Sequence, residues 1–160
     1  RVHNPTAIRP WQHVLAPLSG YLLLAEKLHA HPRDYAQSWN FGPSPSDVQS
    51  VRWIVEKLRD YWHEQIDWEI DAAPNAHEAH LLLLDSAKAR MQLNWAPRWT
   101  LEQAIRAVVD WQNAYLNGEP VREVVLRQIE AYETTVPDSP PKAGKDDRAY
   151  LSEFGVRGIS

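Results

Sequence analysis

The stretch that decides the fold reads IRPWQHVLAPLSGYLLLAEKL and covers residues 8–28. Its first residues are predicted to be extended, because Pro10 biases Arg9 away from the helical conformation. Pro17 is tolerated only in the first turn of a helix, where its missing amide proton is no loss. A helix is therefore predicted to begin near Leu15 and to end at about His29.

Apolar residues cover more than one face of this predicted helix. They recur at the three- and four-residue steps of one helix face, and further leucines widen that face. The residues are Val14, Leu15, Leu18, Leu22, Leu23, Leu24, Ala25 and Leu28. Because a helix with several apolar sides is normally buried on several sides, we expect other parts of the protein to enclose it.

Capping patterns predict further helices downstream. Ser46 and Gln49 have the spacing of a capping box, which predicts that a second helix begins at Ser46. Thr100 and Gln103 repeat this spacing ahead of a third long helix, and Pro120 opens a last one. Helices are thus expected to make up most of the chain.

Short strands complete the predicted fold. Residues 37–41 are rich in aromatic side chains and stop at a Gly-Pro pair, and residues 81–84 are four leucines, so both predict short buried strands. Residues 67–71 alternate as a third, and Asp85 is predicted to cap a helix that follows. The predicted class is α/β, a helix-rich lobe with a few short strands.

Composition limits the functional classes. The 160 residues suit a single domain, and the absence of cysteine excludes disulfides and thiolate chemistry. A net charge of −4 argues against nucleic acid as a partner, and the longest apolar runs are too short to span a membrane. No secretory signal is visible, so a cytoplasmic protein is expected. Residues 1–136 are predicted to form the domain, and the polar, proline-rich residues 137–160 a flexible tail.

Four runs of this chain resemble the CDP-glucose 4,6-dehydratases, which are members of the extended short-chain dehydrogenase/reductase family. The resemblance extends over roughly residues 4–132. It implies that this chain is the C-terminal, sugar-nucleotide-binding part of such an enzyme. The four runs are NPTAIRPWQHVLAPLSGYLLLAEKL (4–28), WNFGP (39–43), HEAH (77–80) and LNWAPRW (93–99).

The resemblance also implies an NAD-dependent reaction. In these enzymes NAD oxidises the sugar at C4, water leaves across C5 and C6, and the hydride returns at C6. This chain lacks a glycine-rich phosphate loop, and no tyrosine is followed by a lysine four residues later, as the family's catalytic pair requires. We therefore expect NAD and the catalytic residues to belong to an N-terminal half that is not in this sequence, and the chain alone to be inactive.

Arg9 and Asn40 are the candidate contacts for the substrate diphosphate. The guanidinium fork of Arg9 matches two anionic oxygens at once, although a solvated or ion-paired arginine fits the same sequence. The resemblance implies diphosphate binding for Asn40, since related dehydratases use an asparagine in the same Asn-x-Gly context; an asparagine that closes a turn is the alternative. Trp11, next to Arg9, is a candidate for stacking against the nucleotide.

The run His77-Glu78-Ala79-His80 is a candidate nucleotide contact. Its histidines are three residues apart and not four, as the helical zinc motif requires, so no metal site is predicted. The resemblance places a nucleotide-contacting loop here and retains His77, Glu78 and His80. Leu81 and Leu83 replace a tyrosine and a lysine of the family run. A solvated polar loop is an equally good interpretation.

Two other functions remain open. One is another extended short-chain enzyme, such as a nucleotide-sugar epimerase, which would differ in residues outside this sequence. The other is a non-catalytic helical module that presents an exposed apolar helix face to a partner. If the chain is part of a CDP-glucose 4,6-dehydratase, the expected partner is the nucleotide sugar CDP-glucose. Exposed apolar surface on such a lobe would also make a homo-oligomer possible.

Overall fold

A computed structural model of the chain describes residues 1–62, 67–71 and 79–136. Within these ranges the chain is helix-rich and has one small two-stranded sheet. No helix in the described ranges is long and apolar enough to cross a membrane. The strands are β1 (Ile8–Pro10) and β2 (Val48–Ser50), and the helices are α1 (Leu15–Ala30), α2 (Pro32–Tyr35), α3 (Val51–Tyr61), α4 (Ala87–Leu93), α5 (Leu101–Leu116) and α6 (Val121–Thr134).

Strand β1 is held on both of its edges. On one edge it pairs antiparallel with β2, so that Arg9 lies opposite Gln49. On the other edge the Ile8 amide donates to the His80 carbonyl (2.9 Å), and the Leu82 amide donates to the Ile8 carbonyl (3.1 Å). This confirms the predicted extended segment and fixes the backbone on both sides of Arg9.

Helix α1 has the predicted bounds but not the predicted burial. It begins at Leu15, which places Pro17 in the first turn. In the described part of the chain only Ala16 and Gly20 of this helix are buried, whereas Leu18 is 43% and Leu22 is 70% exposed. The expectation of burial on more than one side is therefore wrong for the described residues, because they pack against one face of the helix only.

The second helix begins at Val51 and not at the predicted Ser46. Residues Pro45–Asp47 form one turn of 3-10 helix, and β2 follows them. Helix α3 is then capped by Ser50, whose hydroxyl accepts the Trp53 amide (3.2 Å). Pairing of residues 48–50 with β1 supplies their backbone hydrogen bonds, and this tertiary pairing outweighs the local capping pattern.

The predicted short strands are largely absent in the described residues. Residues 38–41 pair with no other strand there. In residues 81–84 a single bridge joins Leu81 to Ile8, and Leu82 and Leu84 are 51% and 41% exposed. Residues 67–71 are likewise reduced to one bridge, between Val2 and Ile70. The three predicted strands are therefore wrong for the described residues, apart from the single bridges at Ile70 and Leu81, because a local sequence pattern does not supply a neighbouring strand.

Two apolar clusters form the core. The first joins α1, α4 and α6, and the second packs α5 against α3. The predicted cap at Asp85 is wrong by one residue, because Ser86 occupies the N-cap position of α4 and makes no side-chain capping bond. The Asp85 carboxylate, one residue earlier, accepts the amide of Ala87, the first residue of α4, at 2.8 Å. The buried members of the first cluster are Ala16, Phe41, Ala89, Leu93, Trp95 and Tyr132, and those of the second are Leu101, Ile105 and Val109.

Candidate functional site

Arg9 lies in the middle of β1, next to residues 80–82, which pair with Ile8. Its side chain is half-buried, and its Nη1 donates to the carbonyl of Ile8 at 2.8 Å. The same nitrogen lies 3.5 Å from the carbonyl of His80. The guanidinium is therefore oriented by backbone oxygens of two adjacent chain segments, and a planar group with five donors is held in one direction.

Asn40 lies on a segment that packs tightly against residues 84–86. Its Nδ2 donates to the Asp85 carbonyl at 3.3 Å, and its side chain is exposed. Two residues later, the amide of Gly42 donates to the buried hydroxyl of Ser86 at 2.6 Å. A β-carbon at Gly42 would lie 2.8 Å from the Leu84 Cβ, so this close approach requires glycine.

Arg9 and Asn40 contact opposite ends of one segment. Arg9 meets the carbonyl of His80, and Asn40 meets that of Asp85. Five residues of chain span at most about 17 Å when fully extended, which limits how far apart these contacts can be. Arg9 and Asn40 thus both contact residues 80–85. A diphosphate that bound to both side chains would have to lie along this segment.

Trp11 has a packing role that its sequence context did not reveal. Its indole Nε1 donates to the carbonyl of Gln49 at 3.0 Å, which joins it to β2. The ring is partly buried and packs against the cluster of Leu101, Ile105 and Val109. This contact anchors the chain between Arg9 and α1, and stacking of Trp11 on a nucleotide stays a prediction.

The predicted His-Glu-Ala-His run is only partly described. His77 and Glu78 lie outside the described residues. The His80 side chain is exposed, and its backbone carbonyl accepts the amide of Ile8. In the ranges that the structure describes, no group of three or more His, Asp or Glu side chains is arranged to hold a metal ion.

His13 was not singled out from the sequence, yet it joins several elements. Its ring meets Trp99 edge-on with 5.0 Å between centroids, and its Nδ1 accepts the Leu15 amide at 3.3 Å. Burial lowers the pKa of His13 below its ordinary value. The imidazole borders an apolar cavity of about 230 Å³ whose other walls come from α1, α5 and α6. No spacing in the sequence predicts this site, because tertiary packing assembles it.

A charged groove of about 620 Å³ runs between α5 and α6. Arg106 and Asp110 contribute to it from α5, and Arg127 contributes from α6. The guanidinium of Arg106 lies over the ring of Tyr61, 4.0 Å from its centroid, so part of its charge already faces an aromatic surface. No sequence pattern predicts this groove, since the packing of two helices brings its residues together.

The described residues do not fit a bound NAD. A dinucleotide needs a glycine-rich turn between a strand and a helix N-terminus. Of the described glycines, Gly20 packs against Phe41 inside α1, Gly42 packs against Leu84, and Gly118 follows the end of α5 with a φ of 71°. Each serves packing or a helix end, so none of them forms a phosphate loop.

This chain is similar in sequence to a known dehydratase. Over 131 residues, 82% of this chain, the sequence is 42% identical to a CDP-glucose 4,6-dehydratase from Salmonella typhimurium (strain LT2). The predicted resemblance to CDP-glucose 4,6-dehydratases is confirmed. The match spans 36% of the length of the Salmonella protein, so this chain corresponds to about a third of that dehydratase. No protein-family model matches the chain.

Proposed function

We propose that this chain is the sugar-nucleotide-binding part of a CDP-glucose 4,6-dehydratase. Such an enzyme converts CDP-glucose to CDP-4-keto-6-deoxyglucose with loss of water. The observation that carries the proposal is the 42% identity to the Salmonella dehydratase over 131 residues. The described geometry supports it, because two predicted diphosphate contacts flank residues 80–85.

Arg9 and Asn40 bind the diphosphate in this proposal. Two backbone carbonyls already orient the guanidinium of Arg9, so less side-chain freedom is lost when an anion binds. His80 contacts the nucleotide from the same segment, together with His77 and Glu78 just before it. Trp11 stabilises the position of Arg9 through its bond to β2 and contributes aromatic surface.

The chain binds and positions the sugar and leaves the redox chemistry to other residues. Since the described residues do not fit NAD, other residues of the dehydratase hold the cofactor in this proposal. Holding a substrate in the reactive orientation removes much of the entropic barrier, and this is the contribution of the present chain. The 160 residues alone are therefore inactive, and the assembled enzyme acts in the cytoplasm.

Calorimetric titration with CDP-glucose tests this function, with UDP-glucose and CDP as comparisons. We expect binding that prefers CDP-glucose. Arg9→Ala removes charge-assisted hydrogen bonds worth about 1.5–3 kcal/mol, which corresponds to roughly a ten- to hundredfold loss of affinity. Arg9→Lys keeps the charge but loses the fork, so an intermediate affinity is expected.

The matched control is Arg122→Ala, which removes an exposed arginine on α6. It should leave the affinity for CDP-glucose unchanged. A folded chain that releases no heat with any of the three ligands contradicts the proposal. Equal affinity of the unsubstituted chain and the Arg9→Ala variant would show that Arg9 does not contact the ligand.

A further inference from the structure

Helices α5 and α6 border a second cavity that continues the charged groove. It has a volume of about 410 Å³. Asp110, Arg127 and the buried Val124 line both the groove and this cavity, so the two join at these residues. Ala107 in the groove and Ala114 in the second cavity are buried too. The two cavities therefore form one elongated α5–α6 cleft with an aliphatic floor and polar walls, the usual form of a small-molecule site.

Two arginines lie at the groove end of the α5–α6 cleft. Arg106 from α5 and Arg127 from α6 both line the groove. The guanidinium of Arg106 is held over the ring of Tyr61, 4.0 Å from its centroid, so it loses little freedom when an anion binds. Among the described residues, neither arginine takes part in an ion pair. Two guanidinium groups that line one groove match the oxygens of a phosphate group.

The other end of the α5–α6 cleft has side chains that suit hydroxyl groups. Asn113 and Asn117 contribute amides, and Asp110 and Glu119 contribute carboxylates. Within the described part of the chain, none of these four side chains makes a hydrogen bond or an ion pair, so their donors and acceptors remain available. A carboxylate accepts hydrogen bonds from hydroxyl groups, and an amide both donates and accepts them. Trp62 adds an aromatic wall to this end.

The charges of the α5–α6 cleft select for a ligand with two different ends. Asp110 and Glu119 balance the two arginine charges, so an inorganic anion meets repulsion as well as attraction. A neutral sugar would leave both guanidinium groups without an anionic partner. A ligand with a phosphate group at one end and hydroxyl groups at the other interacts favourably with both ends of the cleft.

We propose that the α5–α6 cleft binds a sugar phosphate. Arg106 and Arg127 bind the phosphate group, and the carboxylates and amides at the other end bind the hydroxyl groups. Neither Arg9 nor Asn40 lines the cleft. A sugar phosphate in the cleft and a nucleotide sugar at Arg9 would therefore occupy different parts of the chain.

Calorimetric titration of the 160-residue chain with glucose 6-phosphate tests this site, with glucose and inorganic phosphate as comparisons. We expect glucose 6-phosphate to bind with a Kd below about 1 mM, which is usual for a small ligand of its size. Inorganic phosphate, measured by its competition with glucose 6-phosphate, should bind at least about tenfold more weakly. Glucose should release no heat, because it meets only one end of the cleft.

Two substitutions distinguish the two ends of the cleft. Arg127→Ala removes charge-assisted hydrogen bonds to the phosphate group, so the affinity for glucose 6-phosphate should fall roughly ten- to hundredfold. Asp110→Ala removes an acceptor that only the sugar hydroxyls use, and it also removes a negative charge near the arginines. The preference for glucose 6-phosphate over inorganic phosphate should therefore fall about tenfold. A variant that simply unfolds would lose both ligands, so this change in preference reports the site itself.

The matched control is Arg122→Ala, which removes an exposed arginine of α6 that does not line the cleft. Neither this variant nor Arg9→Ala should change the affinity for glucose 6-phosphate.

Several outcomes overturn the proposal. A folded chain that does not bind glucose 6-phosphate would refute the site, and so would an unchanged preference in Asp110→Ala. Equal losses of affinity in Arg122→Ala and Arg127→Ala would show a nonspecific effect of surface charge. A loss in Arg9→Ala would assign the ligand to the predicted diphosphate contacts. None of these titrations contains CDP-glucose, so the proposed function is tested separately.

Discussion

Helices α1 and α5 have the same length and very different surroundings. Both contain 16 residues and both are rich in apolar side chains. Six residues of α5 are buried, and Thr100 and Gln103 form the predicted capping box at its start. Within the described residues only two positions of α1 are buried, and its N-cap residue, Val14, makes no side-chain capping bond. The comparison teaches that apolar content sets how much surface a helix can bury, whereas neighbouring elements decide how much it does bury.

The largest contrast should come from removing one aliphatic side chain from each helix. Ile105→Ala in α5 deletes a side chain that is 5% exposed, so we expect the free energy of unfolding to fall by about 2–4 kcal/mol. Leu22→Ala in α1 deletes a side chain that is 70% exposed, so the change should stay within about 0.5 kcal/mol. Urea denaturation of the two variants measures both values.

A Leu22→Ala variant that loses as much stability as Ile105→Ala would contradict this difference in burial between α1 and α5. It would mean that the outward face of α1 is covered in solution even in the isolated chain. Repeating the denaturation over a range of protein concentrations would then identify self-association, since only an associating protein gains stability with concentration.

The buried face of α1 allows a test of intermediate size. Gly20→Ala would normally stabilise a helix by about 1 kcal/mol. Here the added methyl group would overlap the ring of Phe41, whose Cγ is 2.7 Å from the ideal position, and such overpacking costs about 1–3 kcal/mol. Subtracting the helix gain leaves a net destabilisation of up to about 2 kcal/mol, which thermal or urea unfolding can measure. A stabilised variant would show that the contact between α1 and Phe41 is loose.

His13 lies between the start of α1 and Trp99, just before α5, and should give the smallest effect, a dependence of stability on pH. The folded chain lowers the pKa of His13 by burial, below the value of about 6.5 that the unfolded chain retains. As the pH falls below about 6.5, the unfolded state binds the proton first. The free energy of unfolding should therefore decrease with falling pH and level off once the folded state is protonated too.

The control for this pH dependence is His13→Asn. The amide oxygen of asparagine can accept the Leu15 amide as Nδ1 does, but it does not titrate. Unfolding measured between pH 7 and pH 5 should show a shallower decline for the variant. Identical pH profiles for the two proteins would mean that His13 stays accessible to protons in the folded chain.

Features that depend on neighbouring residues were predicted well from the sequence. Pro17 fixed the start of α1, and Thr100 with Gln103 fixed the start of α5. Gly118 follows the end of α5 with a φ of 71°, the left-handed conformation that glycine commonly adopts after a helix. Such caps and turns act within a few residues, so the sequence alone contains the interactions that determine them.

Features that depend on distant residues were predicted poorly. Ser46 and Gln49 matched a capping pattern, but pairing with β1 placed a strand at residues 48–50. The candidate site likewise combines features that neighbouring residues determine with contacts between residues that are distant in sequence. Asn40 and Arg9 were identified by residue type and by resemblance, yet only the fold revealed that both contact residues 80–85. Periodicity cannot say which strand or helix will be a neighbour.

The double pairing of β1 has a consequence for chain entropy. The segment from Val2 to Ile8 forms bridges to Ile70 and to Leu81, so residues 71–80 form a loop between two fixed ends. The entropic cost of a loop rises only with the logarithm of its length, so inserting five residues into this one adds about 0.4 kcal/mol. The run that contains His77 and Glu78 lies within the loop. Its length can therefore vary between relatives at almost no cost to folding, while the position of Arg9 stays fixed.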